Sequence, residues 1–424
     1  MSQTVFYENI TTCEECDFVN DIPSLKSGER FRCQHCDHVL VSVHQHVASR
    51  IMGVGLSSLL MLGLSMSFPF LSFSTNGIER SVTLFDTLSV LLSQGYLVLG
   101  ALISLALFVF PLVYLLSVLC LVWSFKHSLL PNFAQRYCLR WITVIQPWLM
   151  VDVFLVGILV ALVKMNSLAD IRFELSFWAF CGYVLLLLKT VILIDKRWLW
   201  NQVAGKSSKH SAILAPAKEQ GLIGCLFCGA TLHGEAKHCD RCGHSVSSRR
   251  LKSIGTTAAL LVASLVMYIP ANVFPIMQTT FLGSTETSTI MGGVFLLWSL
   301  GSYPVALIIL FASVVIPLAK VLALSWLCWQ SYYPGRKQTS QKIKLYRITE
   351  LVGRWSMIDV FVVAILTSLV QLGHFMSILP GPAVLSFTSV IVLTMLAAMT
   401  FDPRLLWDID DAKTSVSLEG EKSE

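Results

Sequence analysis

Eight of the twelve cysteines in this chain form two tetrads whose spacing is typical of a metal site. Each tetrad consists of two Cys-x2-Cys pairs, separated by sixteen residues in the first tetrad and by ten in the second. Two such pairs suit four thiolates in tetrahedral coordination of a structural zinc ion. The ligands predicted for two zinc ions are Cys13, Cys16, Cys33 and Cys36 in the first tetrad, and Cys225, Cys228, Cys239 and Cys242 in the second.

The residues alone leave three alternatives to zinc open for the tetrads: disulfide bonds, an iron–sulfur or redox role, and chance clustering. Disulfides need an oxidising compartment, whereas the charges of the loops between the apolar runs predict that both tetrads lie in the cytosol. Four thiolates fill the coordination sphere, so a catalytic ion with an open position is not expected. Each segment is too small to hold a core without metal, and we therefore predict two small zinc ribbons.

A second set of chemically capable residues lies inside long apolar runs, where an ionisable side chain is costly. Asp152 and Asp359 occupy matching positions in the two halves of the chain, and Lys320 lies in a neighbouring run of the second half. The second half has hydroxyl residues where the first half has leucine or valine. Those hydroxyl residues are Ser313, Ser356, Thr367 and Thr394, and their counterparts are Leu107, Leu149, Val160 and Leu187.

We expect Lys320 and Asp359 to meet among these hydroxyls in a satisfied buried cluster. One interpretation is a polar network that gates or couples transport through protonation of Asp359. The other is a static ion pair that holds helices together. Asp152 lacks a matching base, because Tyr114 stands at the counterpart of Lys320.

The composition excludes a water-soluble globular protein. Of the 424 residues, 54% are hydrophobic and only 13% are charged, whereas a soluble domain carries about a quarter charged residues. The same figures exclude a disordered chain and a disulfide-stapled secreted module. The net charge of +5 is too small to indicate a nucleic-acid partner. The surplus apolar surface must therefore face lipid.

Eight apolar runs are long enough to cross about 30 Å of hydrocarbon. Basic residues without acids occupy the loops 126–140 and 331–347, while the alternate loops are poor in base, so the basic side and both termini are predicted to be cytoplasmic. Pro111 and Pro317 lie inside two runs and predict a kink in each, and Pro147 predicts a distortion at the start of the third run. The predicted spans are 51–73, 95–125, 141–163, 177–194, 254–276, 301–330, 349–372 and 383–400.

The two halves of the chain repeat one another. Cys36 matches Cys242 at an offset of 206 residues, and after one insertion the offset becomes 207, which pairs Asp152-Val-Phe with Asp359-Val-Phe. We therefore predict a mainly α membrane protein with eight transmembrane helices in two parallel four-helix repeats, each preceded by a small cytoplasmic zinc ribbon. The predicted domains are a ribbon (1–46), a four-helix unit (47–200), a linker and second ribbon (201–250), a second four-helix unit (251–401) and an acidic cytoplasmic tail (402–424).

Four motifs give the chain a family resemblance: IPANVFPIM (269–277), WSLGSYPV (298–305), RWSMIDVFV (354–362) and MTFDPRL (399–405). Together they resemble the paraquat-inducible protein A (PqiA) family, which is related to the LetA proteins, over nearly the whole chain. The resemblance implies a multi-pass protein of the Gram-negative inner membrane that passes lipid, in particular phospholipid, to a PqiB-like periplasmic MCE-domain protein. It also implies that Ser313, Lys320, Ser356, Asp359 and Thr394 form the polar cluster of the second half.

The predicted function is therefore a non-enzymatic lipid transport component. A Walker A pattern is lacking, so ATP hydrolysis by this chain is not expected. The alternatives are a proton-coupled exporter of small molecules, a membrane-bound metal or redox sensor, and a membrane enzyme. The enzyme is disfavoured because no Ser–His–Asp or HExxH pattern stands out.

Overall fold

The chain folds into two helical units that follow one another in the sequence. The computed structural model describes residues 10–23, 25–75, 78–127, 130–165, 170–205, 214–250, 252–281, 284–299, 301, 303–332, 339–369 and 376–408. Most of the predicted acidic tail and the part 333–338 of the second basic loop lie outside these residues.

The first unit contains eight helical segments and the second contains seven. In the first they are α1 (Val47–Ser67), α2 (Leu84–Ser93), α3 (Leu97–Ser104), α4 (Phe110–His127), α5 (Asn132–Ile145), α6 (Val151–Met165), α7 (Leu175–Leu193) and α8 (Lys196–Ala204). In the second they are α9 (Ser253–Val273), α10 (Ile290–Ser299), α11 (Tyr303–Leu310), α12 (Ile316–Tyr332), α13 (Thr339–Trp355), α14 (Ile358–Leu369) and α15 (Ala383–Thr400).

Seven helices of the described part are long and apolar enough to cross a membrane. The predicted run 349–372 is not among them, because it corresponds to the end of α13 and to α14, and its residues 370–372 lie outside the described ranges. The candidate spans are Val47–Ser67, Leu97–His127, Asn132–Leu162, Leu175–Leu193, Ser253–Val273, Ala306–Ser331 and Ala383–Thr400.

The second helix of each unit is irregular where a proline was expected to kink it. A five-residue π-helical turn, Leu105–Val109, joins α3 to α4, and its counterpart Phe311–Val315 joins α11 to α12. Each turn ends two residues before Pro111 or Pro317. Proline cannot donate to the i−4 carbonyl, and a wider turn accommodates that loss inside a continuous helix.

The third helix of each unit is broken, which the sequence did not predict for both units. In the first unit a 3-10 turn at Gln146–Trp148 separates α5 from α6, in keeping with the distortion expected at Pro147. In the second unit a turn at residues 356–357 separates α13 from α14 without any proline. Asp152 and Asp359 thus lie in the first turn of α6 and of α14, where the helix dipole favours a carboxylate.

Two three-stranded sheets cover the helix ends that lie opposite the cysteine tetrads, and neither sheet was predicted from the sequence. One sheet has the order β6-β5-β7 and the other has the order β11-β10-β12, both fully antiparallel. Their strands are β5 (Leu71–Thr75), β6 (Ile78–Val82), β7 (Asp170–Phe173), β10 (Met277–Phe281), β11 (Ser284–Ser288) and β12 (Met376–Pro380). The remaining strands, β1 (Ile10–Thr12), β2 (Val19–Asp21), β3 (Arg30–Arg32), β4 (Val39–Ser42), β8 (Leu222–Gly224) and β9 (Thr231–His233), build the ribbons.

The two units meet along α6 and α14. Gly157 allows a close approach, because a Cβ atom added there would lie 3.2 Å from the Cβ atom of Phe361. The rings of Phe154 and Phe361 pack edge to face with centroids 5.3 Å apart. One hydrophobic core continues across this interface, so the units form a single packed body.

Candidate metal centres and membrane polar site

Each cysteine tetrad converges in space as its spacing predicted. The four Sγ atoms of each tetrad lie within 4.8 Å of one another, and seven of the eight side chains are buried. In the first tetrad the Sγ atoms of Cys13 and Cys36 are 3.5 Å apart, as are those of Cys16 and Cys33. The pairs Cys225–Cys242 and Cys228–Cys239 are 3.6 and 3.5 Å apart. Tetrahedral bonds of about 2.3 Å to zinc require sulfur atoms about 3.8 Å apart, so both sites fit that ion.

All four Cys-x2-Cys pairs adopt the same tight turn. The residue after each second cysteine donates its N–H to the carbonyl of the first, at 2.7–3.0 Å. That residue has φ between +59° and +71° in every case: Asp17, Asp37, Gly229 and Gly243. Glycine adopts this left-handed conformation readily, and aspartate also tolerates it.

In each tetrad, hydrogen bonds from the first Cys-x2-Cys pair lower the pKa of a thiol in the second Cys-x2-Cys pair. Hydrogen bonds from Cys13 and Cys16 lower the pKa of Cys33, and those from Cys225 and Cys228 lower the pKa of Cys239. None of the twelve cysteines is in a disulfide, and all of them lie in described residues. Disulfide stapling of the tetrads is therefore not what holds these segments.

The ribbons exchange an arginine contact between the units: each accepts a hydrogen bond from a helix of the other unit. The first ribbon also contacts its own unit, where the N–H of Ser42 donates to Asp195 at 3.3 Å. Arg347 on α13 of the second unit donates to the carbonyl of Cys36 in the first ribbon at 2.9 Å. Arg140 on α5 of the first unit donates to the carbonyl of Cys242 in the second ribbon. These arginines match at the repeat offset, as do the carbonyls that they bind. The second ribbon thus packs against the unit that precedes it in the chain, and the first ribbon bridges both units.

Charged groups reinforce the first ribbon's contact. Arg347 also donates to the Glu15 carboxylate, with Nε 2.9 Å from Oε2. Arg249 bridges Asp17 and Asp408, with N–O distances of 2.7 and 2.6 Å. Burial raises the pKa of Asp17, although the charge of Arg249 opposes this, and the two carboxylates raise the pKa of Arg249 against its own burial.

The buried lysine of the second unit contacts one of the predicted hydroxyls. Lys320 is 2% exposed; its Nζ donates to Thr394 Oγ1 at 2.9 Å and lies 3.5 Å from the carbonyl oxygen of Gly353. The seven ion pairs of the described residues do not include Lys320. A hydroxyl and a carbonyl, rather than the Asp359 carboxylate, therefore satisfy its ammonium group.

The remaining predicted residues occupy distinct positions around the helix break. Ser356 is buried in the break, and its hydroxyl has no hydrogen-bond partner among the described residues. Ser313 is buried in the π-helical turn that precedes Lys320. Thr367 is also buried, but it bonds the carbonyl of Val363 within its own helix at 2.8 Å. Asp359 lies in the first turn of α14, beyond the break.

A cavity of about 420 Å³ lies between the two units, at the end that faces the ribbons. Both helix breaks reach it, through Pro147 and Asp152 on one side and Gly353 and Arg354 on the other. Of the predicted network only Asp152 lines it, whereas Lys320 lies behind Gly353. Charged residues that were not assigned to a site from the sequence complete it: Lys196, Arg347 and Glu350.

The cavity has a second, apolar wall. It consists of side chains from the fourth helices of the two units, α7 and α15. This wall could not be read from the sequence, because leucine and methionine in a spanning helix look the same whether they face lipid, a neighbour or a cavity. The members are Val184, Leu187, Leu188, Val191, Met395, Ala398 and Met399.

Comparison with known proteins supports the resemblance. The chain is 38% identical to the intermembrane transport protein PqiA of Escherichia coli (strain K12), over 93% of this chain and 95% of that protein. It is 28% identical to a probable intermembrane transport protein of Haemophilus influenzae, over 95% of this chain and 96% of that protein. It is 27% identical to the lipophilic envelope-spanning tunnel protein A of E. coli (strain K12), over 94% and 91% of the two chains. No solved structure matches.

The family model of paraquat-inducible protein A matches this chain twice, over residues 48–204 and 254–410. The two matches coincide with the two helical units and confirm the internal repeat. Both lie outside the cysteine tetrads, which precede each matched region. Together with the 38% identity across most of its length, they establish that the chain belongs to the paraquat-inducible protein A family.

Proposed function

We propose that this chain is the inner-membrane component of an MCE-type lipid transport system, and that it moves phospholipid between the inner membrane and a periplasmic MCE-domain tunnel. The supporting observation is the position of Lys320. This buried cation lies directly behind the interunit cavity, because Gly353 both lines the cavity and offers its carbonyl to the lysine. Relatives named for intermembrane transport and for an envelope-spanning tunnel support the same role.

The lining of the cavity suits a phospholipid. One wall carries the cations Lys196 and Arg354 beside the carboxylates Asp152 and Glu350, which together suit a zwitterionic headgroup, and the other is the apolar wall of α7 and α15. An amphipathic ligand needs both kinds of wall, whereas a small hydrophilic solute has no use for the apolar one. The lining therefore favours lipid over the alternative of a proton-coupled small-molecule exporter.

The polar network of the second unit would gate this movement. In transporters, interrupted helices at a repeat interface place backbone groups and helix ends at the substrate. Ser356 has a buried, unbonded hydroxyl within such an interruption in the described part of the chain, and Asp359 follows it at the start of α14. We propose that Lys320 exchanges its bond to Thr394 for one to these groups when lipid enters, while Asp152 acts on the cavity side of the first unit.

The metal and membrane placement complete the proposal. Each tetrad would hold one structural zinc ion, which would tie together two short hairpins that bury little apolar surface. The ribbon end and both chain termini would face the cytoplasm, with eight spans in all if α13 and α14 cross together. The two sheets would then stand on the periplasmic side, where the MCE-domain partner binds.

The test compares Lys320→Met with Lys189→Met, a matched loss of an exposed lysine on α7. The full chain and each variant are purified in mild detergent, and mass spectrometry identifies bound phospholipid and co-purifying envelope proteins. Transfer of labelled phospholipid from liposomes to the MCE-domain partner is then followed. We expect Lys320→Met to slow transfer by about tenfold or more, equivalent to about 1.4 kcal/mol, with normal protein levels, and Lys189→Met to behave as wild type.

Asp359→Asn provides an independent arm. Wild-type transfer at normal protein levels in this variant would refute protonation coupling. Wild-type transfer by Lys320→Met would refute a role of the polar network in transport, and Lys320 would then only hold helices together. A substrate-linked proton flux in liposomes that needs no partner would instead support the exporter.

A further inference from the structure

A second cavity, of about 1060 Å³, lies at the ribbon end of the first unit. The last strand of the first ribbon leads into it through residues 43–46, and the start of α1, the end of α4 and α8 close its other sides. It shares no lining residue with the interunit cavity. The transport proposal therefore leaves it without a role.

The lining of this second cavity has one sign of charge. Among its fifteen lining residues there is no aspartate or glutamate, whereas Lys126 and three histidines, His44, His46 and His127, face it. The histidines are not arranged for a metal ion, since the groups of the described residues that could hold one are the two cysteine tetrads. An ammonium group with several imidazole N–H donors is instead suited to an anion, and a phosphate offers several acceptor oxygens to such donors.

The cavity also lies at the boundary between apolar helix and water. Lys126 and His127 form the last turn of the candidate span Leu97–His127. Trp123 lies one turn earlier, is 51% exposed, and its ring centroid is 5.1 Å from that of His127. Tryptophan and lysine at the end of a spanning helix mark the headgroup region of a bilayer. Apolar side chains of Met52 and Val122 line the same cavity.

This feature is confined to one unit of the repeat. At the offset of 206 residues, Tyr332 and Tyr333 stand where the first unit has Lys126 and His127. The second unit therefore lacks the cation at this helix end. The basic residues of the matching loop in the second unit lie further along the chain, so a cation at this helix end is a feature of the first unit alone.

We propose that this cavity binds the anionic headgroup of a phospholipid from the leaflet on the ribbon side, as a resident lipid separate from the transported one. Basic pockets between transmembrane helices commonly bind such headgroups. The ammonium of Lys126 pairs with the phosphate, the imidazoles donate hydrogen bonds to it, and the upper acyl chain lies against Trp123 and Met52. This rests on the membrane placement proposed above but not on the path of the cargo.

Native mass spectrometry of the full chain in detergent tests the site. The probes are phosphatidylglycerol and phosphatidylethanolamine with identical acyl chains. We expect phosphatidylglycerol to bind more tightly, and Lys126→Gln to weaken it about fivefold, the effect of about 1 kcal/mol per basic residue at a membrane surface. Lys126→Gln/His127→Gln weakens it further. Arg136→Gln, which removes an exposed charge from the neighbouring helix α5 outside the cavity, leaves binding unchanged.

The opposite outcomes overturn the inference. Equal binding of the two lipids, or equal losses in Lys126→Gln and Arg136→Gln, means that the cavity has no headgroup preference. Displacement of phosphatidylglycerol by inorganic phosphate alone means an anion site without a lipid. Lys320→Met separates the two proposals, because it leaves phosphatidylglycerol binding here intact even where lipid transfer is lost.

Discussion

We predict that the buried ion pair between Asp402 and Arg404, directly after α15, is needed for the stability of the second unit. Both side chains are at most 2% exposed, and two N–H···O bonds of 2.9 and 2.8 Å join them. The backbone N–H of Asp402 donates to Ser253 Oγ at 2.8 Å, and Ser253 donates in turn to the carbonyl of Thr400. The Asp402 carboxylate also accepts the N–H of Arg250 at 3.2 Å, so Asp402 joins the end of the last helix to the chain that begins α9.

Asp402→Asn removes the carboxylate charge and keeps the shape of the side chain. It leaves the Arg404 guanidinium buried without its counter-charge, which costs about 3–5 kcal/mol. Solvent screening does not reduce this figure, because both groups are inaccessible. The measurement is the free energy of unfolding in SDS, followed by tryptophan fluorescence of the purified full chain.

The repeat supplies a matched control at Asp195. Its carboxylate accepts the N–H groups of Arg197 at 2.8 Å and of Trp198 and Ser42 at 3.3 Å, but none of the ion pairs of the described residues involves it. An asparagine oxygen can accept the Arg197 and Trp198 bonds that Oδ1 accepts, whereas the amide nitrogen cannot accept the Ser42 bond that Oδ2 accepts. Asp195→Asn should therefore cost about one hydrogen bond, ~1.5 kcal/mol. If Asp195→Asn proves as damaging as Asp402→Asn, the ion pair is not the source of the stability.

The pH dependence has a definite sign. Burial alone would raise the pKa of Asp402, but the hydrogen bonds and charge of Arg404 outweigh it and lower that pKa. A lowered pKa in the folded state contributes stability above the unfolded value of about 3.9, and that stability is lost as the pH falls through the folded value. The difference in the free energy of unfolding between wild type and Asp402→Asn is therefore complete at neutral pH and shrinks below about pH 4.

Three further variants test separate parts of the structure. Cys36→Ser should lower the zinc content from about two ions to about one per chain in elemental analysis, and no zinc in the folded wild type would refute both metal sites. Gly157→Leu should disrupt the joint between the units, because even a Cβ atom crowds Phe361, whereas Gly63→Leu has open space and should leave thermal stability unchanged. Arg347→Gln should expose the first ribbon to protease but not the second; equal cleavage of both would contradict the exchanged contact.

The sequence predicted best what depends on spacing along the chain. Two cysteines with two residues between them lie on one tight turn, so the spacing of the cysteines predicted which four would come together in each tetrad. An apolar run of about twenty residues has few alternatives to a membrane helix. The internal repeat was visible because one offset, 206 and then 207, aligned residues as distant as Cys36 and Trp200 with Cys242 and Trp407.

Hydropathy could not reveal how the helices are interrupted. The residues at 356–357 continue an apolar run, and only the loss of helical bonding there separates α13 from α14. Hydropathy also could not identify Thr394 as the partner of Lys320. Several hydroxyls lie in the same buried region, and the sequence does not say which of them the ammonium group contacts. The exchanged arginine contact of the ribbons joins residues 100 or more positions apart. In the sequence this contact is represented by an arginine at matching positions of the two halves, Arg140 and Arg347.

Residues shared by the two units and residues confined to one unit separate scaffold from function. The shared arginines Arg140 and Arg347 bind matching ribbon carbonyls, so their role is structural in both units. At the counterpart of Lys320 the first unit has Tyr114, whose ring is completely buried. The same scaffold thus packs an aromatic ring in one unit and a cation in the other. Because a buried cation gives no packing advantage over that ring, packing does not explain Lys320, and this is why we propose a role for it in lipid transport.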